Sequence, residues 1–310
     1  MKILIYTTLD QSLQNELWKQ LPPESELIFK SNLSEPKLKD AFYSADIVMG
    51  NPPPTWFTDA PTSLKFWQID SAGFNQYQGI KLNFPIANMG DFFAHECAET
   101  VIGGILALYR SLNHLIRFQI KKEWKAKQIR SSMESLGDKR ILILGSGTIG
   151  LAVKKILDGF GSQIKTSAHK NPIADFHSFE DVLKHLPEID LVINTLPGTA
   201  EKYVSQSFLN AMPLGSVYAN VGRGNTTDEK ALIAALETGK LAGAVLDVTE
   251  KEPLPTDSPL WEMENVILTQ HTAGGSKNEI KGKVNLFISN FYKFQNKEKI
   301  KNLIILKSGY

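Results

Sequence analysis

Short apolar runs alternate with longer amphipathic stretches along most of this chain of 310 residues. Runs rich in Ile, Val, Leu and Phe predict β-strands, and apolar positions three or four residues apart predict helices. In the first part, strands are expected near 2–7, 26–30, 47–50, 66–69 and 85–88, with helices near 11–20 and 36–44. In the second part, a strand begins at 140, and others are expected near 163–168, 191–196, 216–221, 242–248 and 266–269, with helices near 148–160, 178–186, 205–211 and 228–238. This alternation indicates an α/β fold with parallel sheets.

Three further segments complete the pattern. A long helical pattern runs from about His95 to Trp124, with Gly103-Gly104 as the only notable interruption. A helix near 278–295 and a last strand over 302–307 follow the second part, and we expect them to return to the first. A chain of this length corresponds to about two domains of ordinary size.

The composition narrows the class of protein. The hydrophobic fraction of 42% is enough for packed cores, and no apolar stretch approaches the ~20 residues of a membrane span. A formal net charge of +1 provides no basic field for nucleic acid or a membrane surface. The single cysteine, Cys97, excludes an internal disulfide and a cysteine metal cluster, and we expect it to pack as a small apolar residue. These features predict a soluble, cytoplasmic protein without a metal site.

The segment Arg140–Gly150 carries the first functional signal. Four apolar residues follow Arg140, which is typical of a strand buried on both faces. Gly145, Gly147 and Gly150 then have the spacing of a dinucleotide-binding turn. The first glycine allows the tight turn, the second lets the backbone approach a pyrophosphate, and the third lets the helix pack on its strand. Because the strand and the helix are both present, the segment predicts dinucleotide binding rather than a merely structural turn.

Three side chains in the last third of the chain have chemistry that belongs to one reaction. Arg223, Glu252 and His271 each follow an apolar run and precede Gly or Pro, which predicts loops at strand carboxyl ends, where open α/β sheets bind ligands. A guanidinium binds a carboxylate in a planar, two-pronged geometry. A histidine beside a carboxylate exchanges a proton near neutral pH. The trio therefore indicates proton transfer on a substrate that carries a carboxylate.

Over nearly its whole length, the chain resembles the D-isomer-specific 2-hydroxyacid dehydrogenases. The motifs that carry the resemblance, in order, are Ser71-Ala-Gly73, Ala98-Glu99, Gly145–Gly150, Thr195-Leu-Pro197, Asn220–Gly224, Leu246-Asp-Val248, Glu252-Pro253 and His271–Gly275. The resemblance implies a Rossmann-type doubly wound parallel-sheet domain over 95–277. It also implies that this domain is inserted into a flavodoxin-like α/β substrate domain, formed by 1–94 and completed by the helix and strand in 278–310. An active site between the domains and a homodimer are further implications.

The resemblance also assigns roles to single residues. Arg223 would clamp the substrate carboxylate and carbonyl, and His271 would be the general acid in ketone reduction, with Glu252 keeping its imidazole charged and oriented. Backbone N–H groups of Ala72 and Gly73 would hold the substrate carboxylate. Chemistry supports the trio independently, because hydride delivery to a ketone builds alkoxide charge that needs a proton donor and a fixed cation.

The same resemblance supplies a set of residues for the cofactor. Asp247 would contact the nicotinamide, and Leu196 and Pro197 would line its pocket. The complete expected set is Gly145, Gly147, Thr148, Ile149, Gly150, His169, Lys170, Leu196, Pro197, Val221, Asp247 and Gly274.

The end of the second strand in the dinucleotide unit predicts NADPH in preference to NADH. NAD enzymes of this architecture carry an acidic residue about 20 residues past the glycine motif, where it binds the ribose 2′-hydroxyl. Here that place is taken by Ala168, followed by His169 and Lys170, which leave room and positive charge for a 2′-phosphate. The alternative is that both cations are only solvated and that Asp175 or a backbone group serves the ribose.

Several alternatives and departures stay open at this stage. Gln270 stands where the family commonly has a proline before the histidine, and Lys202 where a small hydroxyl residue is common. A redox-sensing corepressor with this fold, or a formate-type dehydrogenase, would be a different function, although formate oxidation leaves no hydroxyl proton for Glu252 and His271 to manage. The loops 49–57 and 71–77 contain aromatic residues but no Lys or Arg, which predicts small, unphosphorylated keto acids such as glyoxylate or hydroxypyruvate.

Overall fold

A computed structural model of the chain describes residues 1–59 and 61–306. The strands are β1 Lys2–Ile5, β2 Glu26–Phe29, β3 Ile47–Met49, β4 Phe66–Gln68, β5 Ile86–Ala87, β6 Arg140–Leu144, β7 Gln163–Ser167, β8 Leu191–Asn194, β9 Ser216–Asn220, β10 Leu241–Leu246 and β11 Val266–Leu268. The helices are α1 Gln11–Gln20, α2 Glu35–Ser44, α3 Ala94–Tyr109, α4 Leu112–Ile120, α5 Ala126–Arg130, α6 Thr148–Leu157, α7 Phe179–His185, α8 Gln206–Ala211, α9 Glu229–Glu237 and α10 Glu279–Gln295. Within the described ranges, no helix combines the length and apolarity needed to cross a bilayer.

The chain divides into two compact units. Unit 1 consists of Met1–Phe92 and Ser276–Tyr310, and unit 2 of Phe93–Gly275. Both boundaries lie two residues before those expected from the sequence. Unit 2 is thus one continuous middle segment, whereas unit 1 combines the N-terminal and C-terminal segments of the chain.

Unit 1 contains a parallel sheet of five strands in the order β2-β1-β3-β4-β5, which is the flavodoxin-type order. Its strands are apolar on both faces and bury side chains under helices on each side. Helix α10 packs against α1 and β4. Inside this packing, the buried Asn290 donates a hydrogen bond from Nδ2 to Gln68 Oε1 at 2.8 Å. The C-terminal helix thus groups with the first unit.

Unit 2 contains a parallel sheet of six strands in the order β11-β10-β9-β8-β6-β7. Residues of α3 and α6 pack on one face of this sheet and residues of α7, α8 and α9 on the other. The strand order reverses between β6 and β8, and the crevice at such a switch point is where doubly wound sheets bind their ligands. The predicted fold class, with two parallel-sheet α/β domains, is confirmed.

The helix expected over His95–Trp124 is wrong as a single element. It is broken into α3 and α4 at Ser111, whose backbone is left-handed at φ 52°, whereas Gly103-Gly104 remains helical inside α3. Ser111 is buried, so its conformation is fixed by packing. A local pattern of apolar residues continues through such a break, which is why periodicity did not reveal it.

The last strand, expected over 302–307, also differs from the structure. Within the described residues this segment forms an isolated antiparallel bridge between Ala87 and Leu303, and Ile304 N–H donates to the carbonyl of Ile86. The strand at this edge of the sheet, β5, has only two residues. It therefore offers too few backbone groups for a longer C-terminal strand to pair with. Lys307 lies outside the described residues.

Candidate active site

His271 and Glu252 form an ion pair at the carboxyl end of the sheet in unit 2. His271 Nδ1 lies 2.6 Å from Glu252 Oε2, and Glu252 Oε1 accepts a hydrogen bond from Thr249 N–H at 3.1 Å. His271 follows β11 and Glu252 follows β10, which are neighbours in the sheet. The carboxylate fixes Nδ1 as the protonated nitrogen, and within the described part of the chain Nε2 has no hydrogen-bond partner. The pair can therefore present a proton at Nε2.

Arg223 follows the next strand, β9, and lies in a loop that contacts the Glu252 loop. A Cβ built on Gly224 would lie 1.8 Å from the carbonyl oxygen of Thr249, so the two loops touch through their backbones. The Arg223 guanidinium donates from Nη1 to the carbonyl of Gly222 at 2.7 Å. It has no carboxylate partner among the described residues, which leaves the cation available to an anionic ligand. The structure thus brings the three predicted side chains onto loops from three adjacent strands.

Two buried amide side chains at the strand ends hold these loops, and no separate role was predicted for either amide. Asn220, the last residue of β9, accepts from Gly222 N–H at 3.0 Å and donates to the carbonyl of Arg223 at 3.2 Å. Asn194, the last residue of β8, accepts from Leu196 N–H at 2.9 Å. The sequence signal for these two residues is a polar residue at the end of an otherwise apolar strand. A buried amide must be hydrogen-bonded, so such a residue is expected to hold neighbouring backbone groups.

The glycine-rich turn after β6 fits the pyrophosphate of a dinucleotide. Gly145 is left-handed at φ 97°, and a Cβ on Gly150 would lie 2.2 Å from the carbonyl oxygen of Gly145. Gly147 precedes α6 and provides no side-chain cap, whereas side chains cap α7, α8 and α9. The first N–H groups of α6 are therefore open to an anion, which is the arrangement that binds phosphate at a helix N-terminus.

The remaining residues expected at the cofactor have different degrees of exposure. Leu196 and Pro197 are half-buried beside the amide of Asn194, and Gly274 is also half-buried. Asp247 is buried, and its Oδ1 accepts hydrogen bonds from the loop that carries His271. The side chain of Val221 is buried in the core, so any contact of this residue with a ligand would have to come from its backbone.

The end of β7 presents two exposed basic side chains. His169 and Lys170 come one and two residues after Ala168, which directly follows the strand, and both side chains are exposed. No ion-pair partner for either occurs among the described residues. The Asp175 carboxylate, in contrast, accepts from Lys165 Nζ at 2.9 Å and from Thr166 N–H at 2.8 Å. Burial opposes its ionisation, but these hydrogen bonds outweigh burial and hold the pKa of Asp175 below its usual range. The Asp175 carboxylate therefore already has hydrogen-bond partners within the protein.

In unit 1, the loop at Ala72 and Gly73 is braced through its carbonyl groups. Asn88 Nδ2 donates to the carbonyl of Ala72 at 2.6 Å, and Ser71 Oγ donates to that of Gly73 at 2.7 Å. Ser71 Oγ in turn accepts from Asn51 Nδ2 at 3.1 Å. The N–H groups of Ala72 and Gly73 have no acceptor among the described residues. This arrangement suits two backbone donors that bind an anion.

The aromatic residues of the loops 49–57 and 71–77 do not line an open surface of unit 1. Trp56, Phe57, Phe74 and Tyr77 are all buried in its core. Burial raises the pKa of Tyr77, and its hydroxyl donates to the carbonyl of Pro52 at 2.8 Å. The four rings therefore stabilise the two loops from inside the core of unit 1.

Cys97 is buried in α3, as the sequence indicated. Burial, followed by the charges of Asp247 and Glu96, raises the pKa of its thiol to about 12. A thiol that stays protonated is a poor nucleophile, so Cys97 has a packing role.

A glycine turn at the switch point of a parallel sheet, together with a histidine–glutamate pair at neighbouring strand ends, defines a nucleotide-dependent oxidoreductase. Residues 102–273 match the family described as D-isomer specific 2-hydroxyacid dehydrogenase, NAD binding domain. The chain therefore belongs to the D-isomer-specific 2-hydroxyacid dehydrogenase family.

Individual relatives agree with this assignment. An uncharacterised protein of Corynebacterium melassecola is 33% identical over 86% of this chain and 90% of its own length. A glyoxylate reductase of Thermococcus gammatolerans is 33% identical over 69% of this chain and 67% of its own. Among solved structures, a D-isomer specific 2-hydroxyacid dehydrogenase family protein from Aeromonas salmonicida has a TM-score of 0.83 at 25% identity, covering 98% of this chain and 99% of the other.

Proposed function

We propose that the protein reduces small, unphosphorylated 2-keto acids to D-2-hydroxy acids with a nicotinamide cofactor. The observation that carries this proposal is the 2.6 Å contact between His271 Nδ1 and Glu252 Oε2, which leaves Nε2 to carry the transferred proton. The family membership supports the same reaction. Names of relatives, such as the glyoxylate reductase of Thermococcus gammatolerans, suggest which keto acids to test first.

In the proposed reaction, each residue acts on charge that develops at the carbonyl. A bound nicotinamide cofactor supplies the hydride. His271 gives its Nε2 proton to the carbonyl oxygen, and Glu252 stabilises the imidazolium before that transfer. The Arg223 guanidinium, which has no carboxylate partner among residues 1–59 and 61–306, binds the substrate carboxylate and opposes alkoxide charge. That Ala72 and Gly73 donate N–H hydrogen bonds to the substrate carboxylate remains a prediction, and it is in keeping with the lack of an acceptor for these groups in the described part of the chain.

A steady-state screen tests the proposal directly. Purified protein is given glyoxylate, hydroxypyruvate, pyruvate and longer 2-keto acids with each reduced cofactor, and 3-phosphoglycerate or formate with each oxidised cofactor. Turnover of at least one keto acid is expected, with no efficient oxidation of 3-phosphoglycerate. Cofactor binding without any turnover would favour the corepressor alternative, and formate oxidation would favour the formate-type dehydrogenase.

Unphosphorylated substrates are favoured by the charge of the loops in unit 1. Neither 49–57 nor 71–77 contains Lys or Arg, whereas binding a phosphate requires fixed cations or several donors. The aromatic rings that these loops contain are buried, so this part of the proposal depends on the absence of cations in the two loops and not on ring contacts.

We further propose that NADPH is preferred over NADH. The position that would carry an acid for the ribose is Ala168, and a 2′-phosphate there would meet the exposed basic side chains of His169 and Lys170. Asp175 was the alternative partner for the ribose. Its carboxylate is engaged by Lys165 and Thr166, which makes that alternative less favourable.

The ratio of kcat/KM for the two cofactors tests this preference. Lys170→Ala should lower kcat/KM for NADPH and leave that for NADH nearly unchanged, because only the 2′-phosphate contact is removed. Lys184→Ala is a matched control, since Lys184 is an exposed lysine of the same unit in the last turn of α7. A clear NADH preference that Lys170→Ala does not alter would contradict the proposal.

A homodimer is the proposed assembly. Leu112, Ile116 and Ile120 lie four residues apart on one side of α4 and are 44%, 56% and 76% exposed, and Trp124 beyond the helix is 95% exposed. A contiguous apolar stripe of this kind marks an interaction surface. Light scattering after size exclusion should give a dimer for the wild type and a monomer for Ile116→Asp. Ile173→Asp, at an exposed apolar position away from α4, is the control, and a monomeric wild type would refute the assembly.

A further inference from the structure

Two consecutive residues in the loop that carries His271 have a left-handed backbone. Gln270 has φ 53° and His271 has φ 55°. Residues other than Gly rarely adopt this conformation, and those that do are mostly Asn and Asp. Such a pair persists where surrounding contacts fix it more strongly than the local backbone opposes it. The loop therefore needs an anchor.

Asp247 is that anchor. It directly follows β10 and is buried. Its Oδ1 accepts three hydrogen bonds, from Thr269 Oγ1 at 2.6 Å, Thr272 N–H at 2.9 Å and Ala273 N–H at 3.0 Å. Its main-chain carbonyl accepts a fourth from His271 N–H at 2.5 Å. One residue thus holds the loop before, at and after the left-handed pair.

The two ends of the loop are tied to regular structure. Thr269 N–H donates to the carbonyl of Leu246 in β10. At the other end, Ala273 is buried, and its carbonyl accepts from Thr100 Oγ1 of α3 at 3.1 Å. Between them, the His271 side chain remains 52% exposed while its Nδ1 contacts Glu252. The contacts of the loop thus fix its backbone and leave the imidazole accessible.

We propose that Asp247 is a positioning residue for His271, acting by holding residues 269–273 in the left-handed turn that directs the imidazole toward Glu252. This inference rests on the function proposed above, in which His271 delivers the proton. A carboxyl oxygen suits the task, because it can accept several hydrogen bonds at once. The effect on the reaction passes through the position of His271.

Gln270 also contributes to the positioning of His271. Proline has its φ fixed near about −65°, so the proline that is common at this place in the family could not adopt the conformation of Gln270. In this chain, the direction of His271 therefore depends on the Asp247 anchor together with a residue at 270 that tolerates a positive φ. Glycine should tolerate it better than glutamine does.

The first test compares Asp247→Ala with Asp247→Asn. The alanine variant should lower kcat by about 10²-fold, the loss expected when a reacting group is misplaced by about 1 Å, and this loss should exceed any change in KM for the cofactor. Asparagine retains an acceptor oxygen and should restore kcat at least tenfold over alanine. If asparagine is as poor as alanine, or if alanine weakens only cofactor binding, the inference is overturned.

The second test changes the residue before His271 and leaves the anchor intact. Gln270→Pro should lower kcat by at least about 10²-fold because the ring forces the backbone out of the turn, whereas Gln270→Gly should retain most of it. Lys297→Pro is the matched control, because Lys297 is also left-handed, at φ 56°, but lies in unit 1 after α10. A Gln270→Pro enzyme with wild-type kcat would contradict the inference.

Crystal structures of the wild type and the Asp247 variants provide a measure that does not depend on activity. The contact of His271 Nδ1 with Glu252 Oε2 should be retained in Asp247→Asn and should open beyond about 3.5 Å in Asp247→Ala. If this contact persists in Asp247→Ala, the positioning role fails even where kcat falls. If the wild type reduces no keto acid, the proposed function fails, while the same distances still decide whether Asp247 positions His271. Should Asp247→Ala not fold, the Gln270 variants decide the matter.

Discussion

The backbone contact at Gly224 leads to a sharp prediction for Gly224→Ala. An added Cβ would lie 1.8 Å from the carbonyl oxygen of Thr249 and 2.1 Å from its carbonyl carbon. Both are backbone atoms, so no side chain can rotate away. The loop of Arg223 and the loop of Glu252 must therefore separate by more than 1 Å before the contact reaches about 3 Å, the shortest that a Cβ tolerates.

This separation has two measurable consequences. A displacement of about 1 Å at a reacting group can lower the rate about 10²-fold, which corresponds to about 2.7 kcal/mol of transition-state stabilisation. Overpacking of this kind also lowers the free energy of unfolding by about 1–3 kcal/mol. We therefore expect kcat/KM for the keto acid to fall about 10²-fold, together with a lower Tm.

Steady-state kinetics and thermal unfolding measure both effects, with Gly103→Ala as the control. Gly103 lies on the exposed side of α3, and no atom of the described residues lies within 4 Å of a Cβ placed there. Because Ala favours a helix over Gly by about 0.8–1 kcal/mol, the control should be slightly stabilised and fully active. Wild-type kcat/KM in Gly224→Ala would refute the idea that this backbone contact sets the relative position of Arg223 and Glu252.

Three further changes test the site and its support. His271→Ala should lower kcat by about 10²–10⁴-fold, the range for losing a general acid, with little change in cofactor affinity; near wild-type turnover would remove His271 from this role. Arg223→Lys should lower kcat/KM severely, because a point charge cannot replace the planar fork, and a loss below tenfold would count against the clamp. Tyr218→Phe should lower the free energy of unfolding by about 1–3 kcal/mol, since the buried hydroxyl contacts Thr227 Oγ1 at 2.6 Å and Asn194 Nδ2 at 2.9 Å; unchanged urea unfolding would contradict this.

The positions of the strands were predictable from the sequence because buried parallel strands leave a strong local signal. The run after Arg140 became β6, and the run that ends at Asn220 became β9. Strand ends followed as well, since Gly, Pro or a polar residue interrupts each run. The placement of Arg223 and His271 at one edge of the sheet then follows from the geometry of parallel strands, whose carboxyl ends share an edge.

Features that depend on distant parts of the chain were not predictable in this way. The break at Ser111 is set by packing around a buried residue, and the apolar pattern continues through it. The left-handed conformation of Gln270 depends on the hydrogen bonds of Asp247, which lies 23 residues earlier in the chain. Likewise, the burial of Trp56 depends on partners such as Tyr6 and Phe42 from other elements. Local composition contains none of these contacts.

One long-range feature nevertheless has a sequence signal that physical reasoning can use. Asn194 and Asn220 each end an apolar strand, and Asp247 directly follows the next one. A polar group in such a buried place must find hydrogen-bond partners. Asn194 and Asn220 accept from N–H groups of the loops that leave their own strands, and Asp247 accepts from N–H groups of the loop that leaves the neighbouring strand, β11. The loop held by Asn220 carries Arg223, and the loop held by Asp247 carries His271. A polar residue that closes a buried apolar run therefore marks the side chain that holds a functional loop, even where that side chain never contacts the substrate.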